Sequence, residues 1–185
     1  VLVHWACSTK LAVMNIFHVE NNPTDCAIAL CDSHVVKMTL ETAQMCSTAM
    51  HVWGYGMPGI YQSAYLNHPM TIWVRDDPEN FAWAVYHGLA LADEYTYRYD
   101  KRHKSRSVLE LCFTTTRYRQ PNDPFNTTTP PQCMPDQYKH ADYIEAYREF
   151  YRNGKAHIHR WTKRQPPTWL SHVTTTRYND AERTY

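Results

Sequence analysis

His34, Lys37, Glu41 and Gln44 recur every three or four residues in LCDSHVVKMTLETAQM. That spacing stacks them on one face of a helix. An imidazole, an amine and a carboxylate on one face are the groups required for general acid–base work and for forming an imine at an aldehydic carbon. A solvated face of an amphipathic helix shows the same stripe, here with Val35, Val36, Leu40 and Ala43 on its other side. Two cationic clusters add a second chemistry. Arg98, Lys101, Arg102, His103, Lys104 and Arg106 form one, suited to contacting phosphates and releasing counterions. Arg148, Arg152, Lys155, Arg160, Lys163 and Arg164 form the other, interleaved with Tyr151, Trp161 and Trp169. Aromatic planes beside cations suit stacking on unpaired bases, and Trp73 is a further stacking candidate.

Other chemistries find less support. Eleven histidines invite a metal, with Cys26, Cys31 and His34 or His157 and His159 as the nearest groupings. Their spacing matches no zinc module, so no metal and no cofactor is expected. The six cysteines contain no CxxC pair and read as reduced, mostly buried thiols. The chain carries neither GxGxxG nor a P-loop.

These side chains need elements to hold them. Asn22 reads as a helix cap with Pro23 at the first helical position, and helix is expected from Pro23 to about Met50, broken near Asp32, which caps the second segment. A loop dense in glycine and proline follows, over HVWGYGMPGIYQSAYLNHP. Asp77, Pro78 and Glu79 then start a long helix reaching about Tyr99. Thr114 to Pro135 reads as a long loop, and a further helix is expected after Asp136, stopping at Gly154. With 185 residues, 43 % hydrophobic and 20 % charged, the chain suits a mainly α, compact single-domain helical protein with long loops and a basic, aromatic C-terminal segment. The expected division is an N-terminal extension over 1–13, a helical domain over 14–170 and a tail over 171–185.

The formal net charge of +1 conceals two opposed halves. Residues 1–97 hold three Lys/Arg against nine Asp/Glu, and residues 98–185 hold sixteen against nine. Such asymmetry points to a polyanionic partner or to two faces that neutralise each other. No run of 18 apolar residues is present to span a bilayer, and no signal peptide is evident, so a cytoplasmic monomer with no membrane partner is expected.

LCDSHVVKMTLETAQM resembles the catalytic helix of the bacteriophage pyrimidine-dimer DNA glycosylase/AP lyase family, of endonuclease V type. In that family an Asp-x-His pair precedes the catalytic glutamate, the histidine by seven residues. Asp32 and His34 stand in that register before Glu41. NHPMTIWVRDDPENFAWAVYHGLALADEY is similar to the family's segment leading into its central helix, and RQPPTW to its Arg-Pro-Thr-Trp motif. The resemblance implies a helical domain that excises a damaged or modified pyrimidine from double-stranded DNA, inside a phage-infected bacterial cell, and then cleaves the abasic strand. It implies Glu41 as the catalytic carboxylate and His34 as a substrate-orienting or proton-transfer group. The nucleophilic amine, N-terminal in the family, would be that of Met14 or of Lys37. Gln44, Arg98, Lys101, Arg102, Lys104, Arg106, Arg148, Arg152, Lys163, Arg164 and Trp169 are the expected DNA contacts. Leu40 and Gln44 replace two family arginines. The alternatives are a non-catalytic nucleic-acid-binding protein that keeps the fold, and a small-molecule nucleotide hydrolase.

Overall fold

The computed structural model describes residues 14–116 and 123–171, and the expected extension and nearly all of the expected tail lie outside them. Six α-helices make the frame: α1 (Pro23–Ala29), α2 (Asp32–Val52), α3 (Pro69–Asp76), α4 (Pro78–Tyr99), α5 (Arg106–Phe113) and α6 (Tyr143–Glu149). No strand occurs among the described residues. The mainly helical, single-domain architecture expected from the sequence is therefore the one observed.

Local chemistry sets most of the helix starts. Asn22 accepts hydrogen bonds from the backbone N–H groups of Thr24 and Asp25, with Pro23 opening α1. Asp77 accepts from the Glu79 N–H, at 2.7 Å, and Pro78 opens α4. Two short helices were not expected: α3 lies between the loop that ends at Pro69 and the helix start at Asp77, and α5 runs on from the end of the basic run. His68 starts α3 by accepting from the Met70 N–H, an unusual capping side chain. The helix expected from Asp136 to Gly154 is three pieces: a 3-10 turn at Asp136–Tyr138, α6 capped by Asp142, and a π-helical turn over Phe150–Gly154.

The long helices α2 and α4 pack against each other, with α1 and α5 alongside α4 and α3 against α2. Met38, Met45, Cys46, Ala49 and Met50 from α2 meet Phe81, Trp83, Val85 and Leu91 from α4 in one core. Gly88 sits at the convergence. A Cβ there would stand 2.6 Å from a Leu109 methyl and 3.1 Å from the Thr42 methyl, so the bare backbone lets α2, α4 and α5 close together. The segment 14–19 has no regular secondary structure, yet every one of its residues is buried. It threads the protein between α2, α4 and α6, with Phe17 in contact with His34, Tyr147, Phe150 and Tyr151.

Asp32 does not cap α2. Cys31 takes the cap position without a side-chain bond, and the Asp32 carboxylate turns to tertiary partners. It accepts from Arg98 at 3.1 Å and from the Thr162 backbone and hydroxyl at 2.9 and 2.7 Å. Burial alone would push the Asp32 carboxyl up, but these donors together hold it below the ordinary aspartate value. Arg98 joins the same knot through Glu94 and the carbonyls of Leu30 and Ile28, and Glu94 also receives Arg164. The knot fastens residues 160–164 across α2 and α4.

Candidate active site

Glu41 is 8 % exposed, on the α2 turn after Lys37. Two nitrogens reach its two oxygens. The Asn15 backbone N–H donates to Oε2 at 3.1 Å, and Lys37 Nζ lies 3.1 Å from Oε1. Burial raises the Glu41 pKa above the ordinary glutamate value, partly offset by the Asn15 N–H and by Lys37. The net result is a carboxylate less stable in its charged form than a solvated one, hence a better proton acceptor.

Asn15 is held at three points. Its side-chain amide donates to the Cys133 carbonyl at 3.0 Å and accepts from the Tyr147 hydroxyl at 3.1 Å, which aims its backbone nitrogen at Glu41. The expected amine-bearing residue, Met14, is buried immediately before it. The structure thus brings the 14–15 backbone, Lys37 and Glu41 together.

Beside them opens a pocket of about 400 Å³ lined by Asn15, Phe17, His34, Lys37, Phe150 and Lys155, closed further by Met134. Its walls are aromatic and its edge is cationic. His34 is 5 % exposed and stacks on Phe17, ring centres 4.3 Å apart. Burial, then the nearby Lys155 and Lys37 charges, pull its pKa down to about 3, so the imidazole is neutral near pH 7. A neutral ring orients and hydrogen-bonds; it has no spare proton to donate as an imidazolium. Its Nδ1 is buried without a partner.

Most of the cations expected to contact DNA carry an ion pair within the protein, several of them at its surface. Arg98 is 2 % exposed and is a structural cation of the knot, which corrects its assignment to the DNA surface. Arg102 and Arg106 pair with Glu110, and Arg106 also with Asp93. Arg148 pairs with Glu20, Arg152 with Glu145, Lys163 with Asp100, and Arg164 with Glu94. Trp169 and Trp73 are buried in the core, so neither offers an open face to a base. Lys101 and Lys104 are exposed and pair with no carboxylate among the described residues, and Gln44 is half-buried on the α2 stripe. Among the described residues no three His, Cys, Asp or Glu side chains converge as they would on a metal ion. No described helix is long and apolar enough to cross a membrane.

Asn15, Phe17 and Phe150 did not emerge from the sequence as site residues. The first two lie in a segment whose apolar run signals burial but not its target, and Phe150 arrives from more than a hundred residues away.

The helical frame thus holds a buried carboxylate between a backbone N–H and a lysine, beside an aromatic pocket. The chain belongs to the pyrimidine dimer DNA glycosylase family, whose model matches residues 14–107, just over half of its length. No curated protein and no solved structure matches the chain. The family's substrate is DNA and its role is DNA repair.

Proposed function

We propose that this protein releases a damaged or modified pyrimidine from duplex DNA and then cleaves the abasic strand by β-elimination, using Glu41 and a neighbouring amine. The observation that carries this is the Glu41 environment: a buried carboxylate of raised pKa with nitrogens 3.1 Å from each oxygen, beside a pocket edged by lysines. A carboxylate so placed stabilises the positive charge that develops on the sugar as the base departs, in a setting where charge is worth more than in water. The pocket takes the nucleoside out of the stack, with Phe17 and Phe150 as apolar walls and the neutral His34 as a hydrogen-bonding group.

Unstacking needs something to fill the gap. Val36 and Leu40, each 40 % exposed on either side of Lys37, are exposed apolar side chains of the helix that carries Glu41 and are the candidate wedge in place of the buried tryptophans. Phosphate contact falls chiefly to Lys101 and Lys104. Converting both to alanine is expected to weaken binding to any duplex alike and to reduce the slope of log affinity against log salt by about two, read from titrations at several salt concentrations.

The direct test is incubation of the protein with ultraviolet-irradiated duplex DNA, scoring free base and strand breaks separately. Release of base from irradiated but not unirradiated DNA is expected, with breaks following at the same sites. DNA binding without either product would instead make this a binding protein that keeps the fold.

A further inference from the structure

The pocket beside Glu41 carries an imbalance of charge. Among the described residues no carboxylate lines it, whereas two lysines do. Lys37 is answered by Glu41 at 3.1 Å, and its side chain is 57 % exposed. Lys155 has no such answer. It is half-buried, and its side chain makes no hydrogen bond or ion pair among the described residues. Its ammonium lies 4.9 Å from the centre of the Phe150 ring and 5.8 Å from that of Phe17. Attraction to the ring faces offsets part of the lost hydration, but aromatic rings satisfy an ammonium's three donors less well than an anion does. Burial, reinforced by the Lys37 charge, pulls the Lys155 pKa below that of an ordinary lysine, so the protein alone supports this cation less well than water would.

The backbone fixes the ammonium where it is. Lys155 follows directly on the π-helical turn Phe150–Gly154, a rare geometry concentrated at functional sites. A Cβ on Gly154 would stand 2.5 Å from the Phe150 ring, so the glycine lets that ring lie beneath the Lys155 head. The other polar walls are committed or neutral. The Asn15 amide is taken by the Cys133 carbonyl and the Tyr147 hydroxyl, and His34 is uncharged. Phe17, Phe150, Met38 and Met134 make the rest of the lining apolar. An occupant that suits both halves of this wall has a flat apolar face for the rings and a negative group for the ammonium. A backbone phosphodiester has the charge without the face. An ordinary pyrimidine has the face without the charge.

We propose that the pocket selects pyrimidines carrying an anionic group at C5, with Lys155 as the residue that reads the charge. This deepens the excision reading above and rests on it. C5 faces the major groove outside the pairing edge, so a substituent there leaves the duplex intact until the base is turned out. The pocket volume, about 400 Å³, falls within the ~300–1,000 Å³ usual for small ligands. The strand's own phosphates are left to the exposed Lys101 and Lys104.

The test uses the full chain and three duplexes alike except at one base: 5-carboxylcytosine, the neutral 5-formylcytosine and cytosine. Equilibrium binding and single-turnover base release are measured on each. The carboxyl duplex is expected to bind about ten- to a hundred-fold more tightly than the formyl one, the size of one charge-assisted hydrogen bond, and to lose its base. Lys155→Met, which keeps an apolar stem over Phe150, should remove that preference without moving the thermal midpoint, and Lys155→Arg should keep much of it. Where Lys155→Met does not fold, the comparison of duplexes on the unsubstituted protein decides by itself. Equal affinity for the carboxyl and formyl duplexes overturns the inference, and base release from irradiated DNA by the same protein leaves the excision reading standing. A preference that survives Lys155→Met in folded protein overturns Lys155 as the reader. A loss that falls on all three duplexes alike and flattens the salt dependence puts Lys155 on a backbone phosphate and overturns the inference too. Carboxyl preference with no base released from any duplex or from irradiated DNA upholds the recognition and overturns the excision reading.

Discussion

Glu41→Gln is expected to slow base release by about 10²–10⁴-fold while leaving affinity for the DNA duplex within a few-fold of the unsubstituted protein. Glutamine fills the same space and can still accept the Asn15 N–H, so the geometry survives. What is lost is the negative charge and the proton acceptor, the two properties on which the proposed excision depends. Single-turnover base release against equilibrium binding separates the two effects. The same substitution should leave the protein equally or more stable. Burial raises the Glu41 pKa in the folded state, so the ionised carboxylate opposes folding. Its favourable contribution is complete below the ordinary glutamate pKa and is lost as pH rises through the raised folded value. The advantage of glutamine therefore appears at neutral pH and vanishes in acid, a crossing that thermal melts at two pH values would show. A variant that loses both activity and stability at pH 7 would mean that Glu41 is chiefly structural.

Arg98→Met is expected to cost about 3–5 kcal/mol of folding free energy. Its guanidinium has no exposed surface and satisfies Glu94 at 3.0 Å, Asp32 at 3.1 Å and two backbone carbonyls. Methionine fills the volume but takes the buried cation from two carboxylates, which keep only Thr162 and Arg164 as hydrogen-bond partners, and leaves two carbonyls without their donor. Lysine does little better, because a single ammonium cannot reproduce the planar fork. Urea denaturation should show the loss as a lowered midpoint. The salt dependence of DNA binding, measured below the unfolding transition, should not change. A reduced salt slope with unchanged stability would return Arg98 to the DNA surface.

That prediction marks where sequence reasoning reaches its limit. Arg98 stands at the head of a basic run, and nothing within ten residues distinguishes it from Lys101 or Lys104 except Glu94, one turn earlier. Its decisive partner, Asp32, comes from another helix. Helix starts set by neighbours were legible: Asn22-Pro23 and Asp77-Pro78-Glu79 declare themselves, because a cap is a local event. Helices α3 and α5, of eight residues each, carry too few apolar positions for a period to show. One is capped by a histidine, and the other emerges from a run of cations. The site divides in the same way. His34, Lys37 and Glu41 are legible because one helix spaces them. Asn15, Phe150 and Lys155 are not, because the folded chain alone brings them to Glu41.

The pocket wall has two origins. Asn15, Phe17, His34 and Lys37 fall within the matched stretch that ends at residue 107, whereas Met134, Phe150 and Lys155 come from the part beyond it. A cavity built this way exists only when both stretches are docked, so residues 14–107 folded by themselves would carry Glu41 with one wall of its pocket missing.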